Sequence, residues 1–168
     1  MSATELITKP LKTTDGEAKR VLFVCTGNTC RSPMAAALFN HRVAKGNTAW
    51  HADSAGLFAA EGAPITATAK AVLEEAGVPA TPDNNYPAHC ARNVTREMVE
   101  NADRVIAISA SHALELTFRF PEHAAKIECM PMDIADPYGG DETVYRAALA
   151  DIGYCLALLF PTGEGEAL

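Results

Sequence analysis

One stretch of eight residues constrains this chain more than any other feature. Cys25-Thr26-Gly27-Asn28-Thr29-Cys30-Arg31-Ser32 lies between an apolar run, Val21-Leu22-Phe23-Val24, and a segment that continues Pro33, Met34, Ala35, Ala37, Leu38. The apolar run is short and β-favouring with no polar face, which predicts a strand buried on both sides. Ser32 followed by Pro33 predicts an N-cap with proline at the first helical position, in a helix running to about residue 45. A strand that passes through a tight loop into a helix N-terminus builds an anion site, because the loop N–H groups converge where the helix dipole is positive. Gly27 permits φ > 0, and Asn28 is a non-glycine residue that tolerates the left-handed region.

The side chains in this stretch fit that purpose. Arg31 presents a planar fork able to grip two non-bridging phosphate oxygens, a geometry lysine lacks. The same positive field favours a thiolate at Cys25, placed where open parallel sheets carry their sites. A buried cysteine is usually just a small hydrophobe, but a strand before it, a glycine within the loop and a capped helix after it select the anion loop. Cys30 stays open between a filler beneath the loop and a reversible disulfide partner of Cys25.

The rest of the chain supplies matching architecture. Further strands are expected at 48–54, 104–108 and 126–130, with Trp50 packing in the core. Helices are expected at 66–76, closed by Gly77, then near Thr95, from Ser111, and at 142–160, where Tyr145, Leu149, Ile152, Leu156 and Leu159 recur at helical spacing. Residues 78–87 hold three prolines and read as a loop. Alternation of strands and helices predicts an α/β fold with a parallel sheet covered on both faces. Residues 1–19 are expected to be an extension lacking periodicity, 20–162 the single domain and 163–168 a frayed tail.

Composition removes several alternatives. With 14 Lys and Arg against 21 Asp and Glu, the net charge of −7 and its scattered basic residues give no footprint for nucleic acid. No apolar run approaches ~18 residues, so no membrane span is expected. The N-terminus lacks the apolar core of a secretory signal, so the five cysteines are expected in a reducing compartment, the cytoplasm. Their odd number and uneven spacing disfavour a disulfide framework. Cys25 and Cys30 lack the Cys or His partners of a zinc site, the chemistry calls for no cofactor, and nothing demands more than a monomer. An acidic protein that binds phosphate therefore needs a local device, and the loop is one.

The stretch VLFVCTGNTCRSPMA, together with the late Asp136-Pro137-Tyr138, resembles the low-molecular-weight protein tyrosine phosphatase family over about residues 20–160. The resemblance implies a three-layer α/β/α sandwich with a four-stranded parallel sheet. It also implies Cys25 as nucleophile, Arg31 as phosphate clamp and Asp136 as general acid, with Thr26 to Cys30 and Ser32 forming the phosphate loop. Ser32 is implied to stabilise the thiolate, with a plain N-cap as its other role. Ser54 and His89 are implied to order Asn28, although the loop before His89 is longer than usual in the family and a surface histidine is the alternative there.

Phosphorylated protein side chains are the implied substrates, taken through a phosphocysteine intermediate. Phe58 and Tyr138 would wall the cleft, with a core position as the alternative for Phe58. Thr29 stands where phosphotyrosine-specific members commonly carry a bulkier aliphatic residue; it resembles a bacterial protein-arginine-phosphatase subgroup, which tips an open choice between phosphotyrosine and phosphoarginine towards the latter. Arsenate reductases share the loop but need further cysteines near the third strand. Here Ile108-Ser109-Ala110-Ser111 has none and Cys90 lies upstream. An inactive phosphoprotein-binding module is disfavoured because Cys25, Arg31 and Asp136 are all present.

Overall fold

In a computed structural model that describes residues 18–46 and 49–161, the apolar run becomes β1 (Lys19–Cys25). Successive strand side chains point to opposite faces. Val21, Phe23 and Cys25 enter one core, while Leu22 and Val24 enter another. This is why the run tolerates no polar residue.

Three parallel partners complete the sheet: β2 (Trp50–Gly56), β3 (Arg104–Ala107) and β4 (Ile127–Cys129), in the order β2-β1-β3-β4. On the Phe23 side lie α1 (Arg31–Gly46), α2 (Ala67–Glu75) and α5 (Glu142–Leu159); on the Leu22 side lie α3 (Arg96–Asn101) and α4 (Ala110–Arg119). The three-layer sandwich expected from the sequence is present. Phe39 anchors the larger core, meeting Phe23 edge-on at 5.9 Å and Phe160 at 4.8 Å between ring centroids. Of the five helices among the described residues, four begin with a side-chain cap on the third backbone N–H beyond it, from Thr66, Thr95, Ser109 and Asp141.

Several expectations shift in detail. Lys19 belongs to β1, so ordered structure begins inside the segment expected to be an extension; residues 1–17, Thr48 and the tail 163–168 lie outside the described residues. The first helix starts at Arg31, with Met34 N–H donating to Cys30 O at 3.0 Å, so Ser32 does not cap it. Pro33 is tolerated because the first-turn N–H groups have no intrahelical acceptor. Gly27 does not take positive φ; in this loop Asn28 does, at 57°. Trp50 is only partly buried, packed on Phe160 at the rim of the core, where its indole N–H has no partner among the described residues.

The proline-rich loop is tied down from within. Asn84 is buried and donates to Ala37 O at 2.9 Å, and the Tyr86 hydroxyl donates to Val78 O at 2.6 Å. It ends in a single 3₁₀ turn, Tyr86–Ala88, that delivers His89 to the back of the phosphate loop. Because β2 and β3 flank β1 on opposite sides, the chain reverses direction at the carboxyl end of β1. That switch point is where open α/β sheets leave a crevice, and no helix of the described residues is long and apolar enough to cross a membrane.

Candidate active site

Beyond Cys25 the chain wraps into the expected loop and enters α1. The cleft above it measures about 350 Å³ and is lined by residues 25–31 with Phe58, Ala60, Ala63, Asp136 and Tyr138. The Cys25 sulfur is buried at its floor and receives the Asn28 N–H at 3.3 Å. The Ser32 hydroxyl stands 2.9 Å from it. Both groups are directed at the sulfur from the loop side.

The direction of the Ser32 bond follows from its surroundings. Asn28 Oδ1 accepts from the Arg92 backbone N–H at 3.0 Å, which fixes the amide so that Nδ2 donates to Ser32 Oγ and Ser54 Oγ, each at 2.9 Å. Ser32 thus accepts from Asn28, and its own proton faces two acceptors, the Cys25 sulfur at 2.9 Å and Ala55 O at 3.4 Å. His89 completes the frame, with Nε2 2.7 Å from Asn28 O. A carbonyl only accepts, so Nε2 carries the hydrogen; burial, opposed by that bond and aided by Arg92, keeps the His89 pKa below its ordinary value. Left-handed backbone costs a non-glycine residue about 1–2 kcal/mol, and these bonds hold Asn28 in it.

Gly56 is required by the same frame. A Cβ there would lie 2.6 Å from Thr26 O and 3.1 Å from Asn28 Cβ. The glycine after Ser54-Ala55 therefore lets β2 approach the loop, a signal visible in the sequence as a glycine closing a strand.

Arg31, 8% exposed, donates from Nη1 to Ile134 O at 3.1 Å, while Nη2 stands 3.6 Å from the Asp136 carboxylate. The Asp136 loop is pinned nearby, since Asp133 Oδ1 accepts from Ala110 N–H at the start of α4 at 2.9 Å. Asp136 itself is half-exposed at the cleft mouth, accepting from Tyr138 N–H at 3.1 Å. Phe58 and Tyr138 are 70% and 72% exposed, so Phe58 is not a core residue. Arg119 stacks on its ring, 4.9 Å from the centroid.

Thr29 holds α2 against the loop, its carbonyl accepting from Thr66 N–H at 3.0 Å. Cys30 points into a polar cluster, its sulfur 3.2 Å from the Tyr145 hydroxyl and 3.7 Å from Thr66 Oγ1. Burial, with the Cys30 contact adding to it, pushes the Tyr145 pKa up to about 12, which keeps the phenol protonated. Arg92, Tyr145, Thr66 and a buried histidine, His112, carry no sequence signal for their place at the loop, because the loop residues they bond lie far away in the chain.

The family model for low molecular weight phosphotyrosine protein phosphatase matches residues 20–162. A protein-arginine-phosphatase from Geobacillus stearothermophilus is 43% identical over 136 residues, covering 77% of this chain and 85% of that protein. Among solved structures, the low molecular weight protein tyrosine phosphatase from T. tengcongensis matches with a TM-score of 0.75 at 39% identity, covering 82% of this chain and 95% of the other. The YwlE arginine phosphatase, in a mutant with a phosphorylated active-site serine, matches at 0.73 and 29%, covering 81% and 90%. With a family match running from β1 to just beyond α5, and with sulfur, guanidinium and the Asp136 carboxylate around one cleft, this chain belongs to the low molecular weight phosphotyrosine protein phosphatase family.

Proposed function

We propose that this protein is a cysteine-dependent phosphatase that hydrolyses phosphoarginine on proteins. The observation that carries the phosphatase reading is the buried Cys25 sulfur with Asn28 N–H at 3.3 Å and Ser32 Oγ at 2.9 Å, at the floor of a cleft that also holds Arg31 and Asp136. The Cys25 thiolate attacks phosphorus in line, while loop N–H groups and Arg31 stabilise charge on the equatorial oxygens. Asp136 protonates the leaving nitrogen or oxygen as its bond to phosphorus breaks. A phosphocysteine remains. Asp136, now ionised, takes a proton from water as that water attacks phosphorus, and the Cys25–phosphorus bond breaks to release phosphate and restore the thiolate.

Phosphoarginine is favoured over phosphotyrosine on two grounds. Thr29 offers a hydroxyl in the cleft lining, able to bond a guanidinium, where an aliphatic residue would press on it. Relatives named protein-arginine-phosphatase include the 43% identical Geobacillus protein. The decisive measurement is kcat/KM on phosphoarginine and phosphotyrosine peptides side by side, with Cys25→Ser as the inactive control. Higher kcat/KM for phosphoarginine supports the assignment; a preference for phosphotyrosine overturns the substrate while leaving the chemistry.

A further inference from the structure

His112 lies on α4, well outside the loop, and is 5% exposed. One ring nitrogen, Nε2, stands 2.8 Å from Thr26 Oγ1, and the other, Nδ1, stands 2.8 Å from Ser109 Oγ. Thr26 is exposed and lines the cleft directly after the nucleophile. We propose that His112 is a positioning residue that turns the Thr26 hydroxyl into a hydrogen-bond donor for the transferring phosphoryl group. The proposal deepens the phosphatase reading and rests on it.

The contacts around Ser109 accommodate the direction that serves the cleft. Ser109 caps α4, its oxygen accepting from the His112 backbone N–H at 3.5 Å, and Ser111 Oγ lies 2.9 Å away. In the proposed arrangement the Ser111 hydroxyl donates to Ser109 and the single Ser109 proton goes to Nδ1. Nε2 then carries the ring hydrogen and gives it to Thr26 Oγ1, so the Thr26 proton has no partner on the protein side and faces the cleft. The backbone of Thr26 is independently fixed, since its carbonyl accepts from Phe58 N–H at 2.9 Å.

A neutral imidazole is what this arrangement needs. Burial, followed by the nearby Arg31 charge, pushes the His112 pKa down to about 4, against the opposing pull of Asp136 and Asp133. Positive charge in the cleft is thereby left to Arg31, and His112 serves only to set which way a hydroxyl points. No bond is made or broken at Thr26 or His112; the gain is one oriented donor where negative charge accumulates.

The test uses the full chain with an aryl phosphate and a phosphoarginine peptide. Thr26→Val keeps the shape and removes the hydroxyl; it is expected to lower kcat/KM roughly ten- to a hundredfold, the worth of one hydrogen bond to a charged group. His112→Leu is expected to cost about as much alone and nothing further in the Thr26→Val background, while His112→Gln, which retains an N–H donor, restores most of the rate. Imidazole ¹⁵N spectra of the wild type are expected to show the Nε2–H tautomer, a readout that survives if His112→Leu does not fold. Wild-type rates in Thr26→Val, fully additive losses, or an Nδ1–H tautomer would each overturn the inference. A wild-type chain inert on both substrates would instead overturn the phosphatase reading beneath it, which an active enzyme indifferent to Thr26→Val would not.

Discussion

Two buried arginines divide this molecule into a part that stays satisfied and a part held ready. Arg104, 4% exposed, bonds both Glu128 oxygens at 2.7 and 2.6 Å, gives a third bond to Leu159 O at 3.1 Å and lies 4.2 Å from the Phe160 ring centroid. Arg31, almost as buried, has one carbonyl at 3.1 Å and a looser carboxylate at 3.6 Å. Burying a guanidinium is costly unless its donors are met. Arg104 is met by protein on every side, whereas Arg31 turns its remaining donors to a cleft where a phosphoryl group would complete the set. Burial alone therefore does not separate a structural arginine from a phosphate clamp; the unfilled hydrogen-bonding capacity does.

That contrast can be broken by experiment. Arg31→Lys loses the planar fork, and kcat/KM for an aryl phosphate is expected to fall by roughly 10³-fold, with a melting temperature close to wild type. Arg104→Met reverses the pattern: it strands Glu128, and chemical denaturation is expected to register a loss of about 3–5 kcal/mol, while the folded fraction keeps its turnover. Equal behaviour of the two variants in either assay would dissolve the distinction. Asp136→Asn removes the proton donor without touching the core, so kcat is expected to drop by roughly 10²-fold or more with unchanged denaturation.

Acid should weaken the cleft end selectively. The His112 pKa is depressed from 6.5 to about 4 in the folded state. Between those values the unfolded chain binds the extra proton, so this contribution is complete above about pH 6.5 and is lost as the pH falls towards 4, by roughly 3 kcal/mol at most. His112→Gln is expected to flatten the melting temperature against pH over that window; an unchanged slope would remove His112 as the cause. Last, Thr29→Ile is expected to shift the ratio of phosphoarginine to phosphotyrosine kcat/KM by roughly tenfold towards phosphotyrosine, and an unchanged ratio would leave Thr29 without a role in substrate choice.

Legibility from the sequence followed distance along the chain. Cys25, Arg31 and Ser32 share one loop, so their spacing and the helix behind them were enough to identify an anion cradle. Ser54 and His89 entered only through resemblance, and the structure seats both against Asn28. The expectation of positive φ at Gly27 missed because the left-handed turn is taken by the next residue, whose amide can bond back to the frame. The Ser32 cap missed for a related reason, since the helix begins two residues earlier than expected, at Arg31, and leaves the Ser32 hydroxyl facing sulfur. Nothing local marked His112, which is 86 residues from Thr26.

The sequence by itself determined a strand, an anion-binding loop and a helix in succession, because burial pattern, turn chemistry and side-chain charge act over a few residues. Asp136 in its late Asp-Pro turn entered only through resemblance. Only the tertiary structure decided which groups complete the site. The parallel register that sets Gly56 beside Cys25 brings Ser54 under the loop, and the β3–α4 connection carries Ser109 and His112 to its flank. Such meetings depend on how the strands pair and the helices pack, and the same pairing that covers Arg104 with Glu128 leaves Arg31 facing an open cleft.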